Sequence, residues 1–145
     1  MKILVCGSRS MTNGALIDSV LDDLHFGTGP DGGPGGTQRL ITCIITGGAS
    51  GADQGAECWA RKRGIPYRGY PAPWETHGEW CRCPIIELDR CGAAGPWRNG
   101  EMLRLEHAPD KGRQIAHVVA FPGSRGTADM VRRARAAGID VLEVS

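Results

Sequence analysis

The stretch Leu40-Ile41-Thr42-Cys43-Ile44-Ile45-Thr46-Gly47-Gly48-Ala49-Ser50-Gly51-Ala52-Asp53 decides the fold. Its first half is a nearly continuous apolar run, the pattern of a strand covered on both faces rather than one. A turn of little side-chain bulk follows. A helical segment then runs from about residue 52 to 63 and stops at Gly64.

The same unit recurs on either side. Ile3-Leu4-Val5-Cys6 and His117-Val118-Val119-Ala120-Phe121 are further continuous apolar runs, and Ile65 to Tyr70 and Ile139 to Val144 read as two more strands. Helical patterns fall at about residues 13 to 25, 97 to 107 and 127 to 137, the last closed by Gly138. Strands alternating with helices of this length imply right-handed βαβ crossovers. The expectation is one Rossmann-like α/β domain over residues 1–145, with a doubly wound, mainly parallel sheet of about five strands and helices on both faces.

Two segments interrupt the rhythm. Gly27 to Thr37 is a Gly/Pro-rich connector with nothing to bury, read as a flexible surface loop. Pro71 to Gly95 is a long irregular loop rich in Trp, Cys and His, and loops of that length inside a domain are usually functional or stapled.

The chain of 145 residues is long enough to bury about two-thirds of its unfolded surface. Lys and Arg number 17 against 16 for Asp and Glu, so no global field draws it to nucleic acid or anionic membrane. Any anion site must be local. No apolar run approaches the ~20 residues that span a bilayer. Met1-Lys2 leads straight into the first strand without the pattern of a signal peptide, so a cytoplasmic protein with no membrane partner is expected. Cys6, Cys43 and Cys58 lie in apolar patterns, where cysteine packs as a small hydrophobe.

Ligands of open α/β sheets collect where strand ends meet helix starts, since helix N-termini offer unpaired N–H groups and the positive end of the dipole. Three turns suit that use. In Gly7-Ser8-Arg9 the glycine admits a ligand to the backbone, Ser8 offers a hydroxyl, and Arg9 can fork onto phosphate or simply lie on the surface. In the second turn Gly47, Gly48, Ala49 and Gly51 have the small bulk that a backbone phosphate cradle needs, although neither a Walker A loop nor a Gly-x-Gly-x-x-Gly fingerprint is present. Asp53 reads as a helix cap, as a ligand for a ribose hydroxyl or base amine, or as both. In the third turn, which opens at Pro122, the residues Gly123, Ser124 and Gly126 present N–H groups, Arg125 projects a charge at their mouth, and Thr127 is the expected cap.

These turns, with Trp59-Ala60, Ala94-Gly95-Pro96-Trp97-Arg98-Asn99, Met102 and Ala128-Asp129-Met130, resemble the SLOG superfamily. That group includes the LOG cytokinin-activating phosphoribohydrolases and DNA-processing protein A, and the pattern here is similar to its YpsA-related branch. The resemblance implies a nucleotide or nucleotide-derived ligand between the glycine-rich turns. It also implies that Arg98 clamps phosphate and that Asn99 reads a base or ribose edge. The phosphoribohydrolase branch carries Glu at the end of its Pro-Gly-Gly-x-Gly-Thr-x-x-Glu motif, where this chain has Met130. A thioether cannot stabilise an oxocarbenium-like centre as a carboxylate does. Asp129 is one residue early, about 100° around the helix.

His77, Cys81, Cys83 and Cys91 form a set of soft donors suited to one structural zinc, with exposed thiols or a local disulfide as alternatives. No organic cofactor is expected. Trp74, Trp80, Trp97, Tyr67 and Tyr70 gather about the same loop, as filling or as base-stacking surfaces. The basic runs Arg61-Lys62-Arg63 and Arg132-Arg133-Arg135 read as solvated helix faces.

The function expected from sequence is binding of a nucleotide-derived small molecule at the C-terminal edge of the sheet, as a sensor or binding module. One alternative is an enzyme acting at the glycosidic bond, with Asp53 or Asp129 as acid and Arg98 and Arg125 as phosphate clamps. Another is binding of single-stranded nucleic acid, a partner that the near-neutral charge argues against. Related folds commonly pair through helices, which leaves a homo-oligomer open.

Overall fold

The computed structural model describes residues 1–27, 40–75, 77–79, 81, 91 and 93–145. Apart from Gly27, the Gly/Pro-rich connector lies outside them, as do Trp80 and Cys83 of the long loop. The elements run β1 (Lys2–Cys6), α1 (Gly14–Phe26), β2 (Cys43–Thr46), α2 (Ala52–Lys62), β3 (Tyr67–Gly69), α3 (Ala94–Glu106), a short 3-10 turn (Pro109–Lys111), β4 (Ile115–Ala120), α4 (Arg125–Ala136) and β5 (Asp140–Glu143). All pairings are parallel, in the order β3-β2-β1-β4-β5. The expected doubly wound Rossmann-like sheet is what forms.

The continuous apolar runs serve two cores at once. Ile3, Val5, Ile44, Val119 and Phe121 face α1 and α2, meeting Ile17, Leu21, Ala56 and Trp59. Leu4, Ile45 and Val118 face α3 and α4, meeting Met102, Met130 and Ala134. Successive strand residues point to opposite faces, so a strand sandwiched between helix layers needs apolar side chains at every position.

Trp59 ties the first layer together. It is fully buried, its indole N–H donates to Asp22 of α1 at 2.9 Å, and the Arg63 guanidinium lies over its ring, 4.7 Å from the centroid. On the other face, Glu106 holds the C-terminal end of α3 to the sheet. Its carboxylate accepts from Arg68 at 2.9 and 2.6 Å and from Tyr70 at 2.5 Å, and pairs with Lys2 at 3.0 Å. Burial raises this carboxyl, but these donors outweigh that effect and hold it at about 2. The Glu106 anchorage leaves the opposite half of α3 to face the strand ends.

Three local expectations are corrected. Asp53 is not the cap of α2: Gly51 holds that position at φ 76°, and Asp53 sits in the first turn. A β-carbon at Gly51 would lie 2.5 Å from the Arg9 carbonyl oxygen, so a side chain is excluded there on both counts. Thr127 is not the cap of α4, which starts at Arg125 after Ser124. The Thr127 side chain packs against Gly123, where an added β-carbon would meet its Cβ at 2.5 Å. Helix α3 begins at Ala94, three residues before the sequence places it, because Pro96 is tolerated in a first turn that needs no N–H donor. Arg98 and Asn99 therefore stand in its second turn.

Replacing Trp59 with Ala should cost about 3–5 kcal/mol by denaturant unfolding, whereas Phe26→Ala, at a half-exposed ring, should cost under about 1 kcal/mol. Equal losses would contradict the assignment of Trp59 to the core.

Candidate functional site

The chain crosses from one half of the sheet to the other between β1 and β4, which are hydrogen-bonded neighbours. Their C-terminal ends diverge into different helices, and such a switch point leaves a crevice outside the strand ends. A cleft of about 810 Å³ lies there. It receives all three turns singled out by sequence, the second turn of α3, and one wall from the long loop.

The turns are stitched together by backbone bonds. Ser8 N–H donates to the Pro122 carbonyl at 3.0 Å, and the Ser8 carbonyl accepts from Met11 at 3.1 Å and Ala52 at 3.2 Å. Gly7, Ser8, Arg9, Gly47, Gly48, Ala49, Ser124, Arg125, Gly126 and Thr127 all line the cleft. Gly51, Pro122 and Gly123 do not; they shape the turns from behind.

The α2 turn spends much of its donor capacity on itself. Gly48 N–H donates to Thr46 Oγ1 at 3.1 Å, and that hydroxyl donates to Glu57 at 2.6 Å. Ala49 N–H donates to Asp53 Oδ2 at 3.2 Å. The α4 turn does the reverse. No side chain caps its N-terminus, and Arg125 at its mouth has no hydrogen-bond or ion-pair partner among the described residues. Arg9 is also exposed at the mouth, lying over Trp74 at 5.6 Å from the ring centroid. An uncapped helix start with an arginine of its own first turn, in a cleft lined by a second arginine, favours an anion.

The floor carries a half-buried arginine and a buried carboxyl. Arg98 Nη1 donates to the carbonyls of Gly47 at 2.6 Å and Tyr70 at 3.0 Å, and its Nε to Asn99 Oδ1 at 3.0 Å. Nη2 is left with no acceptor among the described residues. Burial lowers the pKa of this guanidinium, with nearby Asp53 opposing. Asp53 is itself buried, and that burial, with Glu57 adding, raises its carboxyl to about 6 against the pull of Ala49 and Arg98. Gly47 separates the two groups: a β-carbon there would lie 2.9 Å from Asp53 Oδ2.

Asn99 and Asp129 are committed to each other. Asn99 Nδ2 donates to the Gly126 carbonyl at 3.2 Å and to Asp129 Oδ2 at 3.0 Å, and Asp129 also takes Arg133 at 2.8 Å and Arg132. Burial raises the Asp129 carboxyl, but these donors prevail and hold it below the usual range. Met130 borders the cleft but is almost fully buried, packed in the core beneath α3 and α4. Cys6 lines it too, but burial, with Asp53 adding, pushes its thiol up to about 12, so it stays protonated and poorly nucleophilic.

Sequence reasoning missed Pro71 and Ala72 as cleft residues and left Trp74 between filling and stacking; all three line it. Nothing in their spacing relates them to the glycine turns, because only the fold brings the exit of β3 there. Tyr67 instead lies under Arg61, and Trp97 faces a separate shallow groove. Of the four soft donors, His77, Cys81 and Cys91 converge, with their ligand atoms all within 4.8 Å of one another, and could hold a metal ion. No described helix is long and apolar enough to cross a membrane.

A carboxyl raised to about 6 binds its proton more tightly in the folded chain than in the unfolded one. Stability from Asp53 therefore falls as pH rises from about 4 to 6. Asp53→Asn should flatten that slope, and the Asp53 carboxyl carbon should titrate near 6 by NMR. A midpoint near 3.8 would contradict the buried environment described for it.

Residues 1–77 match the YAcAr family, described as the YspA, cpYpsA-related SLOG family. The Gene 61 protein of Mycobacterium phage D29 is 32% identical over 149 residues, covering 97% of this chain and 94% of that protein. The X-ray structure of DNA processing protein A (DprA) from Streptococcus pneumoniae aligns over 97% of this chain with a TM-score of 0.44 and 19% identity. This chain spans 58% of that one, and the strand order, not this likeness, establishes the fold. With more than half of its length matched, and with a relative aligned almost end to end, the chain belongs to the YspA, cpYpsA-related SLOG family.

Proposed function

We propose that the cleft binds a nucleotide or nucleotide-derived phosphate ligand and that the protein acts as a sensor or binding module. The observation that carries this is the α4 start: an uncapped helix N-terminus with unpartnered Arg125 beside it and Arg9 alongside, opening on a cleft of about 810 Å³. Phosphate sits there, on the amides of Arg125 to Thr127. The base or ribose sits toward Asp53 and Arg98, with the Trp74 face as its wall. The α2 turn, its amides partly taken by Asp53 and Thr46, supports the sugar side rather than cradling phosphate.

A nucleotide-processing enzyme is the second reading, and Asp53 favours it: a buried carboxyl at about 6 in the cleft is poised to carry a proton near neutrality. Asp129 is less suited, since its oxygens are already bonded to Asn99, Arg132 and Arg133. Release of free base from a nucleoside monophosphate, lost in Asp53→Asn, would favour turnover over binding alone. Single-stranded nucleic acid remains the weakest alternative for a chain of net charge +1.

Thermal unfolding against nucleoside mono-, di- and triphosphates, cyclic nucleotides, NAD and ADP-ribose tests the proposal. A ligand at about 100 times its dissociation constant should add roughly 2.7 kcal/mol, a shift of several degrees. Arg125→Ala should remove most of it, at a position whose exposed side chain holds nothing in the fold. No shift with any compound, or an equal shift in the variant, would overturn the placement of phosphate at α4.

A further inference from the structure

The long loop between β3 and α3 supplies one wall of the cleft, and the same loop holds three metal-ligating side chains. His77 Nδ1 stands 3.1 Å from Cys81 Sγ, and both lie with Cys91 Sγ in a cluster no wider than 4.8 Å. Tetrahedral zinc, with bonds of about 2.0–2.3 Å, spaces its ligand atoms roughly 3.3–3.8 Å apart. Closing this cluster on an ion therefore takes movements of about 1 Å. Cys91 is fully buried while His77 and Cys81 are half-buried, so the cluster has an inner anchor and an accessible side.

The position of Cys91 gives the cluster a consequence for the cleft. Its backbone N–H donates to the Trp74 carbonyl at 2.6 Å, and its carbonyl accepts from Ala94 N–H at 3.2 Å, at the first residue of α3. The Trp74 ring packs on Gly95, where a β-carbon would meet it at 2.6 Å. It also meets the Arg9 guanidinium. His77 follows Trp74 by three residues, and Cys81 closes the next turn through its N–H bond to Gly78 at 3.0 Å. One knot thus joins the three donors, the tryptophan wall and the helix that carries Arg98.

We propose that His77, Cys81 and Cys91 form a site for a soft divalent cation of the zinc class, and that the bound ion clamps Trp74 between Gly95 and Arg9 as a fixed wall of the cleft. On binding, the thiols of Cys81 and Cys91 pass their protons to solvent and the neutral imidazole coordinates through Nδ1. The three donors leave one coordination position to a further ligand. The ion is a structural clamp: it presets the surface against which a base would stack. The effect on ligand affinity rests on the nucleotide reading above, whereas the metal site does not.

The full-length chain, stripped with a chelator under reducing conditions, should take up one equivalent of Co2+ with sulfur-to-cobalt charge-transfer absorption, and Zn2+ should displace it. His77→Ala and Cys81→Ser, both at half-buried positions, should weaken uptake at least about tenfold while keeping the wild-type circular dichroism. Zn2+ should slow amide exchange about tenfold or more at residues 74, 91 and 94–95, leaving β1 and β4 unchanged. No absorption from folded wild-type protein, or the same uptake in both variants, would overturn the site. Uptake without added protection at residues 74, 91 and 94–95 would overturn the clamp. Neither readout needs a nucleotide, so failure here is distinct from failure of the ligand proposal.

Discussion

Every strand of the sheet points the same way, and that single constraint arranges the rest of the molecule. Parallel neighbours need crossover connections, the crossovers are helices, and helices on both faces bury the strands between them. The three strand-to-helix turns after β1, β2 and β4 then emerge at one edge. Chain order reverses direction between β1 and β4, so the turns on either side of that boundary part and leave a cleft. The glycine-rich turns are where they are because the sheet is parallel.

Within the cleft, charge is sorted by depth. Arg98, half-buried, and Asp53, buried, lie on the floor, held by backbone carbonyls and amides, and each has its charged form weakened by loss of solvent. Arg9 and Arg125 stand exposed at the mouth. A preset floor with exposed cations above it matches the proposed ligand, which has one polar, neutral end and one anionic end. Two further groups are used up in bracing. Asn99 joins α3 to α4 through Gly126 and Asp129, and Glu106 fastens the far end of α3 to β1 and β3.

The fold was legible in the sequence because burial on both faces leaves a one-dimensional mark: Ile3 to Cys6 and Leu40 to Thr46 carry almost no polar residue. The membership of the cleft was largely legible too, since strand-to-helix turns declare themselves by glycine. What those residues do with their hydrogen bonds was not. That Asp53 turns back to Ala49 rather than capping α2, or that Thr127 folds over Gly123, depends on turn geometry that no spacing records. Arg98 looked like a simple phosphate clamp, yet two of its three nitrogens are spent on Gly47, Tyr70 and Asn99, contacts across 51 and 28 residues of chain and to its neighbour. Met130 borders the cleft at the position where the motif of the resembled branch carries an acid.

In the proposed binding mode the anionic end of the ligand sits on the first turn of α4. Amide chemical shifts of the 15N-labelled chain, followed while a nucleoside monophosphate is titrated in, test it most directly. Saturable shifts should be largest at Arg125, Gly126 and Thr127, with smaller ones at Ser8 and Arg9, and the matching nucleoside should leave the α4 amides unmoved. Shifts confined to Gly47 to Gly51, or equal α4 shifts with and without the phosphate, would contradict it.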